Sequence, residues 1–255
     1  MKNKACLIWM FLTFAITSAS GDAYDDWGPK NKSGFGYYAR IGYVLGGTAP
    51  LPIPSEIRRI STFTPDGGLM FGLDGFKMLD KYWGILIGAH ISPEGMKTKA
   101  DVKNYHIGIT QDNNYLTGYY TGTNKNNVSL LALTIPIEVM YRVTPRLTLR
   151  GGPYFQLLLD RTFEGSVYNG YLRENTPTGQ KIEISANNPA VYDFAKEMRK
   201  TLWGVEVGAD WKVMKKMSIF GQIDWGMNGI FRNGFETIDF TMYPIFMTVG
   251  IALAY

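Results

Sequence analysis

Polar side chains that can move protons, pair ions or hold solutes recur on one face of the chain's alternating segments. A period of two collects Arg40, Asp74, His90, Glu138, Arg142, Arg150, Glu206, Asp210, Gln222 and Asp224 on that face. Three chemistries fit the set. Spaced acids and bases can line an ion or solute path. Paired carboxylates can act as a general acid–base couple. Opposite charges can also neutralise one another, because a lone buried charge is costly. Catalysis has thin support: of the two histidines, His90 lies on the collected face and His106 in the Asn104-Tyr-His-Ile-Gly108 segment. Neither stands at a triad spacing, so a lipid-modifying site ranks third among the functions. With no His/Cys cluster, the expectation is no catalytic residue, no cofactor and no metal, and a structural network of the charges.

The elements that position this face must be strands whose other face is apolar. In the last segment Tyr243, Ile245, Met247, Val249, Ile251, Leu253 and Tyr255 form one row, against Pro244, Phe246, Thr248, Gly250, Ala252 and Ala254. In 201–213 Trp203, Val205, Val207, Ala209 and Trp211 oppose Gly204, Glu206, Gly208 and Asp210. Lipid outside and a crowded interior demand this division, with aromatic rings at both interfaces. Trp203 and Trp211, eight residues apart, would sit roughly 20 Å apart in depth at ~3.3 Å per residue and ~40° tilt. Together with Trp225, Tyr243 and Tyr255 they are the expected interfacial aromatics.

Eight such strands are expected, over about 34–45, 68–78, 83–91, 128–143, 147–160, 201–213, 218–228 and 243–255. Their connections alternate short and long, so the fold class is all-β: an eight-stranded antiparallel up-and-down transmembrane barrel with long extracellular loops and both termini periplasmic. Such a barrel is just wide enough for its own side chains, and Tyr38, Tyr154 and Phe220 add bulk, which favours a packed interior over a path. Pro50, Pro52 and Pro54 read as holding an extended loop, and 93–127 reads as a second long loop. Within the third, 161–200, a helix is expected from Asn188: Pro189 at its first position, Val191, Phe194, Ala195 and Met198 on one stripe, Asp193 early, and Lys196, Arg199 and Lys200 late. It would cap the outer mouth or pack on loop ribbons. Strand-like Gly165–Tyr168 and Lys181–Ile184 leave ten strands open as a count.

Lys2 and Lys4, an apolar run from Leu7 to Ile16 and Ser18-Ala-Ser20 read as a cleaved signal peptide over 1–20. A flexible lead-in over 21–33 and the barrel domain over 34–255 complete the domain reading. The single cysteine, Cys6, lies inside the leader, so the mature chain has no thiol chemistry. The 26 basic residues less Lys2 and Lys4 leave 24 against 22 acidic, a balance with no footprint for nucleic acid. No stretch reaches the ~18 apolar residues of a membrane helix. The 29 glycines, 16 tyrosines, 14 phenylalanines and 6 tryptophans suit a barrel's tight interior and interfaces.

Leu133-Thr-Ile-Pro136 and Gly151-Gly-Pro-Tyr-Phe155, either side of a proline-containing turn, resemble the PorT-like small outer-membrane barrels of Bacteroidetes. Gly46-Gly47 with Pro50-Leu-Pro-Ile-Pro-Ser-Glu-Ile-Arg58 resembles a loop of gut Bacteroides members of that group. The resemblance spans the mature chain and implies a Gram-negative cell-envelope location. The secretion role behind the group's name is not carried onto this chain. The leading function is a non-enzymatic outer-membrane protein whose Tyr- and Asn-rich surface loops meet a partner. The alternative is an accessory subunit of a secretion or uptake complex, or a narrow channel. Implied partners are outer-membrane lipid, the barrel-assembly machinery during biogenesis, and an envelope protein or glycan.

Overall fold

The computed structural model describes residues 34–112, 114–235, 237 and 240–255. The expected signal peptide (1–20), Cys6 and the lead-in (21–33) lie outside the described residues. In chain order the strands are β1 (Phe35–Pro50), β2 (Ile57–Pro65), β3 (Leu69–Met78), β4 (Trp83–Gln111), β5 (Asn114–Arg142), β6 (Leu147–Glu174), β7 (Lys181–Ile184), β8 (Ala190–Asp193), β9 (Thr201–Met214), β10 (Met217–Gly226) and β11 (Met242–Ala254). Eight of them close an antiparallel ring in the order β1-β3-β4-β5-β6-β9-β10-β11, with β11 pairing back onto β1. The fold is therefore an all-β, eight-stranded barrel; β2, β7 and β8 are additions outside the ring.

Alternation dictates the wall. On β9 Trp203, Val205, Val207 and Trp211 are exposed, while Gly204, Glu206, Gly208 and Asp210 are buried. A strand in that register can face only lipid outward and a filled lumen inward. Local hydrogen bonds fix the tight turns. Asp80 Oδ1 accepts the backbone N–H of Tyr82 and of Trp83, each at 2.7 Å. Thr144 Oγ1 accepts those of Arg146 and Leu147 at 3.2 and 3.0 Å. Such side-chain caps specify a turn through its first residue.

The opposite end departs from the expected loops. Most of the stretch 93–127 is strand: 93–111 continue β4 and 114–127 open β5, and the two strands, 29 residues each, pair along nearly their whole length. Many of its polar residues face outward, while Val102, Tyr105, Ile107, Ile109 and Tyr120, with the polar Glu94 and Asn124, are buried. The high Asn, Lys and Thr content reflected one wet face of a sheet, not a loop. The proline-rich excursion is shorter than expected, because β1 runs to Pro50 and β2 begins at Ile57.

The helix expected over 188–200 does not form. β8 occupies Ala190–Asp193, followed by one 3-10 turn, Ala195–Glu197. The reason is competition for the backbone. Ala190 to Asp193 pair with Val167 to Glu164 of β6, and Val191 also pairs with Thr110 of β4. These ladders turn Tyr192 inward and Val191 outward, which a helical stripe cannot do. Through β8 the long ends of β4, β5 and β6 close a second, smaller ring above the first. Phe163, Tyr192, Phe194, Met198 and Phe231 fill it, with Phe163 4.9 Å from Phe231 and Tyr192 4.9 Å from Phe194 between ring centroids.

Candidate functional site

The charged residues of the lumen meet around two arginines. Arg40 on β1 is 3 % exposed; its Nε binds Asp74 of β3 and its Nη1 donates to Asp210 Oδ1 of β9 at 2.5 Å. The other oxygen of Asp74 lies 2.7 Å from His90 Nε2 on β4. Arg150 on β6 donates from Nη1 to Glu138 Oε2 at 2.6 Å and to Glu206 Oε1 at 2.5 Å, and from Nη2 to Gln222 Oε1 at 2.6 Å. Asp210 Oδ2, 3.2 Å from Arg150 Nε, joins the two halves. Gln222 Nε2 reaches Asp224 at 3.4 Å. The network thus ties seven of the eight ring strands across the lumen.

Aromatic and glycine residues complete the cross-section. The Arg40 guanidinium lies 4.8 Å above the Phe220 ring and 5.3 Å from that of Tyr38. A Cβ at Gly208 would stand 2.8 Å from Arg150 Cζ, and one at Gly88 would overlap Asp74 Oδ1. Both glycines make room for the ions rather than for a turn. Arg142 sits apart near the short-turn end, donating to the Lys81 carbonyl at 3.3 Å.

Sequence reasoning missed a third cluster. Gln156 Nε2 donates to Glu94 Oε1 at 2.8 Å and to Thr134 Oγ1 at 3.1 Å, and Ser92 Oγ donates to the same Glu94 oxygen at 3.2 Å. The signal was present, since His90, Ser92 and Glu94 continue one alternation. Ending the strand near Ile91 hid it. Above this cluster lies the apolar fill of the smaller ring, where Tyr192, its hydroxyl donating to Asn124 Oδ1 at 2.7 Å, is kept protonated far up the scale by burial.

The outer wall carries the expected aromatics. Trp203, Trp211, Trp225 and Tyr255 are exposed and Tyr243 is half-buried. Trp203, Trp225 and Tyr243 stand toward the long end; Trp211 and Tyr255 stand toward the short-turn end. Trp83 and Tyr141, not singled out from sequence, lie 4.6 Å apart between ring centroids, tilted at 47°, beside Tyr82 at the short-turn end.

As chemistry, this arrangement pairs each arginine with carboxylates, Arg40 with Asp74 and Asp210, and Arg150 with Glu138 and Glu206. Both Asp74 oxygens are engaged, one by His90 and the other by Arg40. His106 lies on the smaller ring, edge-on to Tyr119 at 5.2 Å. Among the described residues no group of three or more His, Cys, Asp or Glu is placed to hold a metal ion, and no helix is long and apolar enough to cross a membrane.

Comparison with known proteins follows this geometry. The family model described as outer membrane protein beta-barrel domain matches residues 24–232. No curated protein matches the chain. Similar solved structures include Ail, the attachment invasion locus protein of Yersinia pestis, in complex with the heparin analogue sucrose octasulfate, at 10% identity and TM-score 0.38, covering 86% of this chain and 99% of that one. CarO2 of Acinetobacter baumannii has 12% identity and TM-score 0.41 over 86% and 99% of the two chains. OprG of Pseudomonas aeruginosa has 13% identity and TM-score 0.30 over 88% and 97%.

Proposed function

This chain belongs to the outer membrane protein beta-barrel domain family, and from that premise we propose a non-enzymatic surface protein whose barrel is a closed anchor. Its location is the outer membrane. The observation that carries the reading is the doubly filled lumen: the Arg40–Asp210–Arg150 network lies across the lumen, and the apolar fill of the smaller ring lies above it. Both layers oppose passage of solutes. In this reading the long end is extracellular and both termini are periplasmic, following the asymmetry of short periplasmic turns and longer outer segments. The five aromatics Trp203, Trp211, Trp225, Tyr243 and Tyr255 set the membrane depth, and the lumen charges hold the wall in register.

The part offered to a partner is the β4–β5–β6 extension with its rim. There an open cleft of about 560 Å³ is lined by Arg199, Phe231, Arg232, Phe235 and Phe240 among others, aromatic and guanidinium groups of the kind that anchor interfaces. Planar-bilayer recording of the purified protein is the test. A quiet membrane supports the closed anchor, whereas a persistent open conductance replaces it with the channel reading.

A second reading, an accessory subunit of an envelope complex, is favoured by β2. This strand pairs with β4 alone, and eight of its nine residues are exposed, Ile60 and Phe63 included. Such an edge is a template for strand addition. A large envelope protein retained through mild-detergent extraction and native electrophoresis would establish that role. The finer kinship to PorT-like barrels belongs with this reading.

A further inference from the structure

We propose that the outward face of β2, β4, β5 and β6 binds the phosphate groups of lipopolysaccharide standing beside the barrel. The proposal rests on the outward orientation proposed above. Thr62, Lys99, Lys125 and Ser166 are register partners across these four strands, so they form one row on one face. Two lysines directly opposed across strands repel each other, and sheets ordinarily place an acid in such a pair. Here the neighbouring acids are engaged elsewhere. Asp66 takes Lys97 at 2.6 Å. Asp101 accepts from Ser61 at 3.3 Å and Thr123 at 3.1 Å, and Glu164 accepts from Asn127 at 3.0 Å.

Among the described residues neither Lys99 nor Lys125 has an ion pair. Lys99 Nζ instead stands 5.7 Å over the Tyr168 ring. With backbones about 5 Å apart, both ammonium groups can converge on one phosphate dianion. A single bound anion would convert the repulsion into a bridge.

Position selects the source of that phosphate. On β5 the exposed apolar row of Val139, Ile137, Ile135 and Leu131 ends six residues before Lys125 in space, roughly 15 Å along the barrel axis. The lysine row therefore lies beyond the acyl chains, outward of the interface at the depth of the lipopolysaccharide's phosphate-bearing sugar core, and it faces sideways from the wall toward neighbouring lipids. A soluble polyanion arriving from the medium would meet the rim first.

The test measures binding of detergent-purified protein to phosphorylated and to chemically dephosphorylated lipopolysaccharide, for the parent chain and for the double variants Lys99→Gln/Lys125→Gln and Lys99→Arg/Lys125→Arg. The parent is expected to prefer the phosphorylated lipid roughly 10- to 30-fold. The arginine variant should retain the preference and the glutamine variant should lose it, each keeping the heat-dependent gel shift of a folded barrel. Equal binding of the two lipids by the parent chain overturns the proposal, as does an undiminished preference in a folded glutamine variant. So does tighter binding of heparin than of the lipid, which would assign the row to a soluble sulfated polysaccharide. Detergent binding does not depend on orientation. Thiol labelling of the Ser166→Cys variant in intact cells reads orientation by itself, so failures of the two readings are distinguishable.

Discussion

At the scale of single residues, Arg150 has four polar partners, binding Glu138, Glu206 and Gln222 and approaching Asp210. Removing one member of a buried ionic set strands the others, which costs about 3–5 kcal/mol. Arg150→Met is expected to lower stability by that amount in urea unfolding from lipid vesicles. Adding Glu206→Gln should recover part of the loss, since it removes one stranded charge. Gly208→Ala should act in the same direction by displacing the guanidinium. At the short-turn end, the N–H groups of Trp83 and then Tyr82 hold the Asp80 carboxyl below its ordinary value. A depressed folded value means the turn's hydrogen bonds are present at neutral pH and are lost as acidification passes through that lowered value. The amide resonances of Tyr82 and Trp83 should therefore titrate together, with a midpoint below the usual carboxylate range, and Asp80→Asn should abolish the titration.

At the scale of elements, β9 and the β4–β5–β6 extension make opposite predictions. Val207, 60% exposed midway along the outward row of β9, faces hydrocarbon in this reading. Val207→Arg is expected to cost about 2–4 kcal/mol, whereas Ser166→Arg, beyond the apolar band, should be nearly neutral in the same unfolding measurement. Phe163 lies at the centre of the smaller ring, 1% exposed and packed on Phe194 and Phe231. Phe163→Ala should cost about 3–5 kcal/mol locally, opening 161–200 to protease while the lower barrel keeps its heat-dependent gel shift. Cleavage that spreads into the membrane strands would contradict this separation of the two rings. The segment 188–200 shows where local reading fails. Asn188, Pro189 and the Val191–Phe194–Met198 spacing satisfy helix rules, yet β6 and β4 supply backbone partners that a helix would forgo. Phe194 and Met198 are buried, but Val191 of the same expected stripe is exposed and Tyr192 takes the inward place, as strand alternation requires.

At the scale of the whole molecule, two filled layers stacked in one barrel make a closed anchor, and the expected outcome of conductance recording is a quiet membrane. The inward set was legible because period-two alternation fixes which side chains share a face, whatever the strand's neighbours are. Its extension through Ser92 and Glu94 carries the same alternation, but Pro93 and the polar composition beyond it resemble a loop when only one strand is in view.

The sequence by itself determined the class of fold and the sidedness of its strands, since lipid on one side and a crowded lumen on the other leave only one arrangement of apolar and polar rows. Only the tertiary structure decided which acid meets which base: Arg40 and Asp210 stand 170 residues apart in the chain, and ring closure and strand stagger bring them together. The smaller ring was settled in the same way. Asn-, Lys- and Thr-rich segments become strand when long-range backbone pairing and a buried aromatic face outweigh their local preference for turns.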